Sequence, residues 1–324
     1  MTDLPTHVDI HEEGPREGFQ IEPGPIGTAD KIRLIEALAE TGLRHIQVCS
    51  FVNPRLVPGW ADAEAVVEGF KAKPGLDYNA LWFNAAGLER ALKFRDKLTV
   101  AGAIALTASE AFTRKNLNRS HAENVEAMRK QTALHLSRGV SVSRIGVMAA
   151  FGCNYEGDVD PKHVVTILQK TEQKANACGS RLGNISLADT MGWANPLQIK
   201  RLVGAVRDRW PSTPIKLHLH DTRALAVANI VAALEVGVDC FDTAVAGMGG
   251  CPFAAHKGAA GNVTTEDVVF LCQEMGVETG IDLDRMIEAG QLAERVVGHP
   301  LPGKLKSGGN LEKYRERARA GATA

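Results

Sequence analysis

The sequence predicts an α/β fold, a TIM (β/α)8 barrel with extra C-terminal helices. Three observations carry that expectation. Apolar, strand-like runs alternate with amphipathic helical stretches from end to end. Eight such strand-then-helix units can be counted. Polar residues able to do chemistry gather where the predicted strands end, the rim at which a barrel of this kind places its site.

The predicted strands are His7–Glu13, His45–Phe51, Tyr78–Asn84, Leu98–Leu106, Ser143–Gly152, Gly183–Thr190, Ile215–Thr222 and Cys240–Ala246. Between them apolar residues recur at three and four, the helical period. Asp30–Glu40 does so with Ile32, Ile35, Leu38 and Ala39, and Ser120–Arg138, Pro161–Ala177, Pro196–Arg209 and Ala224–Val236 follow. Thr28, Ser120, Asp160 and Asn195 stand where N-caps belong, and Gly42, Gly139, Gly179 and Gly237 where helices should stop. The competing architecture is a doubly wound open sheet. That fold would carry a G-x-G-x-x-G turn after its first strand, and Gly14–Pro15–Arg16–Glu17–Gly18 is not one. Two further helices, Thr265–Met275 and Leu283–Val297, follow the eighth strand. Residues 1–303 thus read as a single barrel domain and 304–324 as a loosely held polar tail.

With 44% apolar and 23% charged residues in 324, the composition is that of an ordinary globular chain. A net charge of −1 and 5% aromatic residues argue against tracking a phosphate backbone or stacking bases, so no nucleic-acid partner is expected. No apolar run approaches ~18 residues, so no membrane span is expected. The six cysteines form no C-x-x-C pair and scatter through apolar segments, as reduced thiols of a cytoplasmic protein would. The polar N-terminus leaves no room for a signal peptide before the first strand. A homodimer is the expectation from base rates alone.

The chain is organised around Ile215–Thr222. His218 and His220 are two apart on a strand, so both imidazoles face one side. The same pair could line a polar barrel interior without an ion. Thr222 then reads as the cap of the next helix. Glu17, His218, His220 and Asn262 make a mixed nitrogen–oxygen set suited to Mg2+ or Mn2+ with positions open for substrate. Arg16 beside them could stabilise charge developing on an oxygen. Cys251 lies in a loop whose Gly247, Gly249 and Gly250 permit left-handed or mobile backbone, where a thiol can act as acid or nucleophile. Gln20, Ser50, Asp189 and Thr190 stand at the same rim and are candidates for substrate binding.

Six segments occur together and in order: Gly-Pro-Arg-Glu-Gly-Phe-Gln (14–20), Ser-Phe-Val-Asn-Pro (50–54), Ser-Glu-Ala-Phe-Thr-Arg-Lys-Asn (109–116), Ser-Leu-Ala-Asp-Thr-Met-Gly (186–192), His-Leu-His-Asp-Thr (218–222) and Val-Ala-Gly-Met-Gly-Gly-Cys-Pro-Phe (245–253). From about residue 7 to residue 300 the chain resembles the 3-hydroxy-3-methylglutaryl-CoA (HMG-CoA) lyases, part of a wider group of barrel metallolyases that includes isopropylmalate and homocitrate synthases. The resemblance implies a divalent cation and retro-Claisen cleavage of a 3-hydroxyacyl-CoA to acetyl-CoA and a keto acid. It makes Arg16 the residue that stabilises the enolate. His218, His220 and Asn262 become metal ligands, with His218 also moving a proton, and Cys251 belongs to the closing loop.

Departures from the family pattern fall on the rim. The family has Asp at Glu17 and Glu at Gln47, where an amide cannot act as a base. The stretch from Cys251 to Asn262 is two residues longer and adds Ala255-His256-Lys257, and Ile21-Glu22-Pro23 stands where a lysine is expected. A related thioester such as citramalyl-CoA is therefore a candidate substrate. Two other readings remain open. One is a synthase joining acetyl-CoA to a 2-keto acid. The other is a catalytically silent barrel used for binding.

Overall fold

The computed structural model describes residues 4–250 and 259–322. All eight predicted strands are present: β1 (Asp9–Glu12), β2 (His45–Ser50), β3 (Asp77–Leu81), β4 (Gly102–Thr107), β5 (Val142–Met148), β6 (Asn184–Asp189), β7 (Ile215–Leu219) and β8 (Cys240–Thr243). They form one parallel sheet in the order β3-β2-β1-β8-β7-β6-β5-β4. That order is a closed ring of consecutive strands opened at one seam, between β3 and β4. A single backbone bond crosses the seam, from the Thr99 amide to the Tyr78 carbonyl at 2.8 Å. The barrel expectation holds, and no open-sheet switch point exists.

The strands are shorter than their apolar runs. The run beginning at Leu98 joins the sheet only at Gly102. Helices α2 (Thr28–Ala39), α6 (His121–Ser137), α7 (Pro161–Ala177), α8 (Pro196–Arg209), α9 (Ala226–Leu234), α10 (Thr265–Glu274) and α11 (Leu283–Val297) fall where the periodicity puts them. Ser120 and Asn195 each close a full capping box, and Asp160 caps α7. Gly42, Gly139, Gly179 and Gly237 all have positive φ just beyond the preceding helices. Two expected caps are corrected. Thr28 is already inside α2, and its hydroxyl donates to Asp62 instead. Thr222 does not cap α9; its hydroxyl donates to the Ala260 carbonyl, and the Asp221 carboxylate accepts the Ala226 amide.

Residues 304–322 also depart from the loose tail that their polarity suggests. They form α12 (Leu305–Gly308) and α13 (Glu312–Ala322). The Lys304 and Leu305 amides donate to Asp267, and Arg315 grips both oxygens of Glu274 at 2.8 and 2.7 Å. Composition reports the exposed face of this segment but not these anchors.

Alternation along the strands sorts the barrel. In one register layer His45, His11, Asp242 and His218 are neighbours across β2, β1, β8 and β7. The residues between them, Ile10, Ile46, Leu217 and Phe241, are buried in the apolar core on the other face. The barrel therefore has a polar lumen and an apolar jacket, each large jacket side chain contributing ~1.5–3 kcal/mol.

Ionisable groups are also buried outside that lumen, and Glu266 is one of them. Glu266 on α10 is fully buried, accepts the Ala246 amide at 3.0 Å, and burial pushes its carboxyl up to about 8. Because this folded-state value lies above the unfolded one, the folded protein holds the proton more tightly. The stabilisation is complete at acidic pH and is lost as pH rises from the ordinary carboxylate range through about 8. The melting temperature should thus fall between about pH 5 and about pH 9, and Glu266→Gln should make that fall shallower, most visibly in its alkaline half. Differential scanning calorimetry across the range checks the slope; identical slopes in both proteins would refute it.

Candidate active site

The site begins where β1 ends. Glu12 turns outward and accepts the Gly14 and Val245 amides at 2.7 and 2.9 Å and the Thr265 hydroxyl at 2.6 Å. The next residue, Glu13, turns the other way. Helix α1 (Gly14–Ile21) follows at once, with Pro15 in its first turn. Its glycines are there for closeness. A Cβ on Gly14 would meet the Glu12 carboxylate at 2.5 Å, and one on Gly18 would meet Met248 at 2.6 Å. This packing aims Arg16 and Glu17 at the barrel mouth.

Arg16 is clamped. Its Nη2 lies 2.7 Å from Glu13 Oε2 and 2.8 Å from Glu17 Oε1, and its Nε donates to Gln47 Oε1. Gln47 passes the contact on, donating from Nε2 to Asn79 Oδ1 at 2.8 Å. Burial alone would lower the Arg16 pKa, but Glu17 and Glu13 outweigh it and keep the guanidinium charged.

Across the mouth, His218 and His220 face each other with Nε2 atoms 3.1 Å apart. Asp242 Oδ2 lies 3.2 Å from His218 Nδ1, while its Oδ1 pairs with Lys216 Nζ at 2.6 Å. Ligand atoms of Glu17, His218 and His220 all lie within 4.8 Å of one another. Asn262 joins them, donating from Nδ2 to Glu17 Oε2 at 2.5 Å. Its Oδ1 and the His220 Nδ1 are buried without a hydrogen-bond partner among the described residues.

The electrostatics suit a cation. Burial and the neighbouring His218 hold the His220 pKa down at about 3, so this imidazole is neutral with lone pairs to give. Burial would raise Glu17, but Arg16, His218 and His220 hold it below the usual carboxylate range. Burial would lower His218, but the Asp242 hydrogen bond and the Glu17 charge raise it. A carboxylate, two imidazoles and an orphaned amide oxygen in one cluster are a donor set for a hard or borderline divalent ion.

Other rim residues are placed less uniformly. Ser50 Oγ is fully buried with no partner, and so is the Gln20 Oε1 atom. Asp189 accepts the Trp193 amide at 2.6 Å, and burial lifts its carboxyl to about 6. Thr190 accepts the Ala149 amide at 2.9 Å, which ties β6 to the end of β5. Gly247 and Gly249 adopt the positive φ read for the loop. Cys251 lies outside the described residues.

Sequence reasoning missed Glu13, Asn79, Lys216 and Asp242. A signal for two of them was available: Lys216 precedes His218 by two, and Asp242 stands at the same alternating phase of β8, in register with His218. The i, i+3 spacing of Glu13 and Arg16 would pair them on a helix, but no helix was expected there.

A parallel eight-stranded barrel with a carboxylate–imidazole–amide cluster and a clamped arginine at its C-terminal rim defines a barrel enzyme with a candidate cation site. A family profile described as HMGL-like matches residues 7–293. The chain is 37% identical over 300 residues, 93% of its length and 96% of the relative's, to hydroxymethylglutaryl-CoA lyase YngG of Bacillus subtilis. It is 40% identical over 296 residues, 91% of its length and 94% of the relative's, to the 3-hydroxy-3-isohexenylglutaryl-CoA/hydroxymethylglutaryl-CoA lyase of Pseudomonas aeruginosa. The solved structure of an HMG-CoA lyase from Acinetobacter baumannii, in complex with coenzyme A and 3-methylmalate, superposes with a TM-score of 0.83 at 34% identity, covering 96% of this chain and 97% of that one. The chain belongs to the HMGL-like family and is a carbon–carbon lyase.

The Lys216–Asp242–His218 chain should be costly to break. Asp242→Asn leaves the buried Lys216 ammonium without its carboxylate, and a loss of ~3 kcal/mol in unfolding free energy is expected. Urea denaturation of the metal-free protein measures it; a loss under ~1 kcal/mol would mean that Lys216 finds solvent instead.

Proposed function

We propose that the protein cleaves HMG-CoA, or a close 3-hydroxyacyl-CoA such as citramalyl-CoA, to acetyl-CoA and a keto acid, with a divalent cation held by Glu17, His218, His220 and Asn262. The observation that carries this is the orphaned Asn262 Oδ1 beside the Glu17–His218–His220 cluster, with the Arg16 guanidinium touching the same carboxylate. The names of the relatives support the thioester, and the coenzyme A and 3-methylmalate of the Acinetobacter complex support a hydroxy acid next to a CoA pocket.

When bound, Mg2+ or Mn2+ supplies Lewis acidity toward the substrate hydroxyl and a carboxylate oxygen. The chain's own groups do the rest. The substrate hydroxyl loses its proton, the bond between its carbon and the methylene next to the thioester breaks, and a carbonyl forms there. His218, held through Nδ1 by Asp242, is assigned to move that proton, which it can take at Nε2 only while that nitrogen is not given to the cation. Negative charge then collects on the thioester oxygen, and Arg16 is the fixed cation to receive it. Returning a proton to the enolate carbon completes acetyl-CoA, and Cys251 on its glycine-flanked loop is the assigned donor. Ser50 and Gln20, each with a buried oxygen lacking a partner, are assigned to substrate polar groups, as are Asp189 and Thr190.

A coupled assay for acetyl-CoA release, with HMG-CoA and citramalyl-CoA side by side, tests the reading. EDTA treatment should abolish release and Mn2+ restore it. Arg16→Met should lower kcat by about 100-fold, and His220→Ala should weaken Mn2+ binding by about tenfold or more. Preference for citramalyl-CoA over HMG-CoA would assign the rim departures, Gln47 among them, to specificity. No metal binding and no release from either thioester would refute the enzyme proposed here.

A further inference from the structure

Among the described residues Arg16 makes three side-chain contacts, and the carboxylate outside the cation cluster has no role assigned above. Glu17 Oε1 belongs to a residue of the cluster itself. Gln47 is neutral, and its amide is used up between Arg16 and Asn79. The remaining partner is Glu13, 2.7 Å away and 5% exposed. Its backbone is pinned on both sides. The Glu13 amide donates to the Thr243 carbonyl at 2.8 Å, and its carbonyl accepts the Glu17 amide at 2.9 Å. A carboxylate so buried and so placed has no reason to exist for solubility, and burying it is costly unless it is paired.

We propose that Glu13 is the positioning carboxylate of Arg16: it supplies the guanidinium with a counter-charge of its own, leaving Glu17 free to serve the cation cluster, and does so from the end of β1 because position 47 carries an amide. Without Glu13, Nη2 has only Glu17 to pair with, and the arginine competes for the charge that the cluster needs. The counter-charge is thus tied to a place on the guanidinium and not to one residue. A carboxylate at position 47 reaches the same group through Nε and can replace it. This rests on the cation site and the role of Arg16 in the proposed function.

The experiment is a relocation. Glu13→Gln keeps the side-chain shape and one acceptor oxygen but removes the charge, and the double variant Glu13→Gln/Gln47→Glu returns that charge from β2. Wild type and both variants are compared by calorimetric titration with MnCl2 and by thioester-cleavage kinetics, with circular dichroism to establish folding. In Glu13→Gln the Kd for Mn2+ should rise about tenfold or more, and kcat should fall about tenfold or more while KM changes less than about threefold. The double variant should recover to within about threefold of wild type in both readouts. A residue that merely filled space would not be rescued from a different strand. A folded Glu13→Gln with wild-type Mn2+ affinity overturns the inference, as does a folded double variant that stays as weak as the single one. If wild type cleaves no thioester yet Mn2+ affinity follows the expected pattern, the proposed substrate falls and the role of Glu13 stands.

Discussion

The site hangs on a carboxylate that never touches it. Glu12 is fully buried and has no ion-pair partner among the described residues, yet its two oxygens collect the Gly14 amide, the Val245 amide and the Thr265 hydroxyl. Those donors come from the first turn of α1, the glycine-rich stretch after β8, and the start of α10. One side chain thereby fixes three pieces of backbone relative to β1. Burial lifts its pKa to about 7, the price of placing a carboxylate where only dipoles answer it. The tight glycine contacts of α1 follow from the same constraint. With Gly14 drawn against Glu12 and Gly18 against Met248, the helix can present Arg16 and Glu17 from one turn only.

Period-two alternation then divides the labour between neighbours. Glu12 braces the scaffold while Glu13 faces the mouth. On β7, Lys216, His218 and His220 share one face, and Leu217 and Leu219 go to the jacket. Asp242 from the adjoining strand bridges the first two of these. Lys216 is thus what keeps Asp242 charged against its burial, and Asp242 in turn sets which His218 nitrogen faces the cluster. In the same register layer His11 stacks on His45 with centroids 4.0 Å apart, and burial together with Lys216 drives the His11 pKa down to about 3. That ring stays neutral and adds no competing charge beside the site.

How much of this was legible follows from where the information resides. The barrel could be read because strand and helix periods are local, and because caps such as Ser120 and Asn195 and stops such as Gly139 act within a few residues. Glu17, His218, His220 and Asn262 could be read as a set because all stand at predicted strand ends, and the fold does bring them together. Helix α1 was not legible: Gly14, Pro15 and Gly18 interrupt any helical pattern, since their reason is contact with Glu12 and Met248, which no local pattern records. Thr222 failed as a cap for a similar reason. Its hydroxyl is taken by Ala260, some forty residues on, and the helix starts later. Glu13 was missed with α1, since its i, i+3 spacing to Arg16 means a pair only on a helix, and the departure at Gln47 pointed to a lost charge and no more.

Charge counting joins these strands of argument. If both imidazoles give lone pairs to a cation, and Glu13 is held ionised by Arg16 although burial pushes its carboxyl up, the linked groups at the mouth are two cations, Arg16 and Lys216, and three anions, Glu13, Glu17 and Asp242. Their sum is one negative charge, in a space where burial is the largest influence on every one of the carboxylates. Such a deficit would attract the divalent ion of the proposed function, and filling it would leave one positive charge. That is the sign needed to bind an anionic hydroxy acid and then to hold an enolate as it forms. Removing either Glu13 or Glu17 would make the filled site more positive but the empty one less attractive to the ion. On the proposed reading, the number of carboxylates around Arg16 therefore answers two opposed demands, capture of the cation and tolerance of the product.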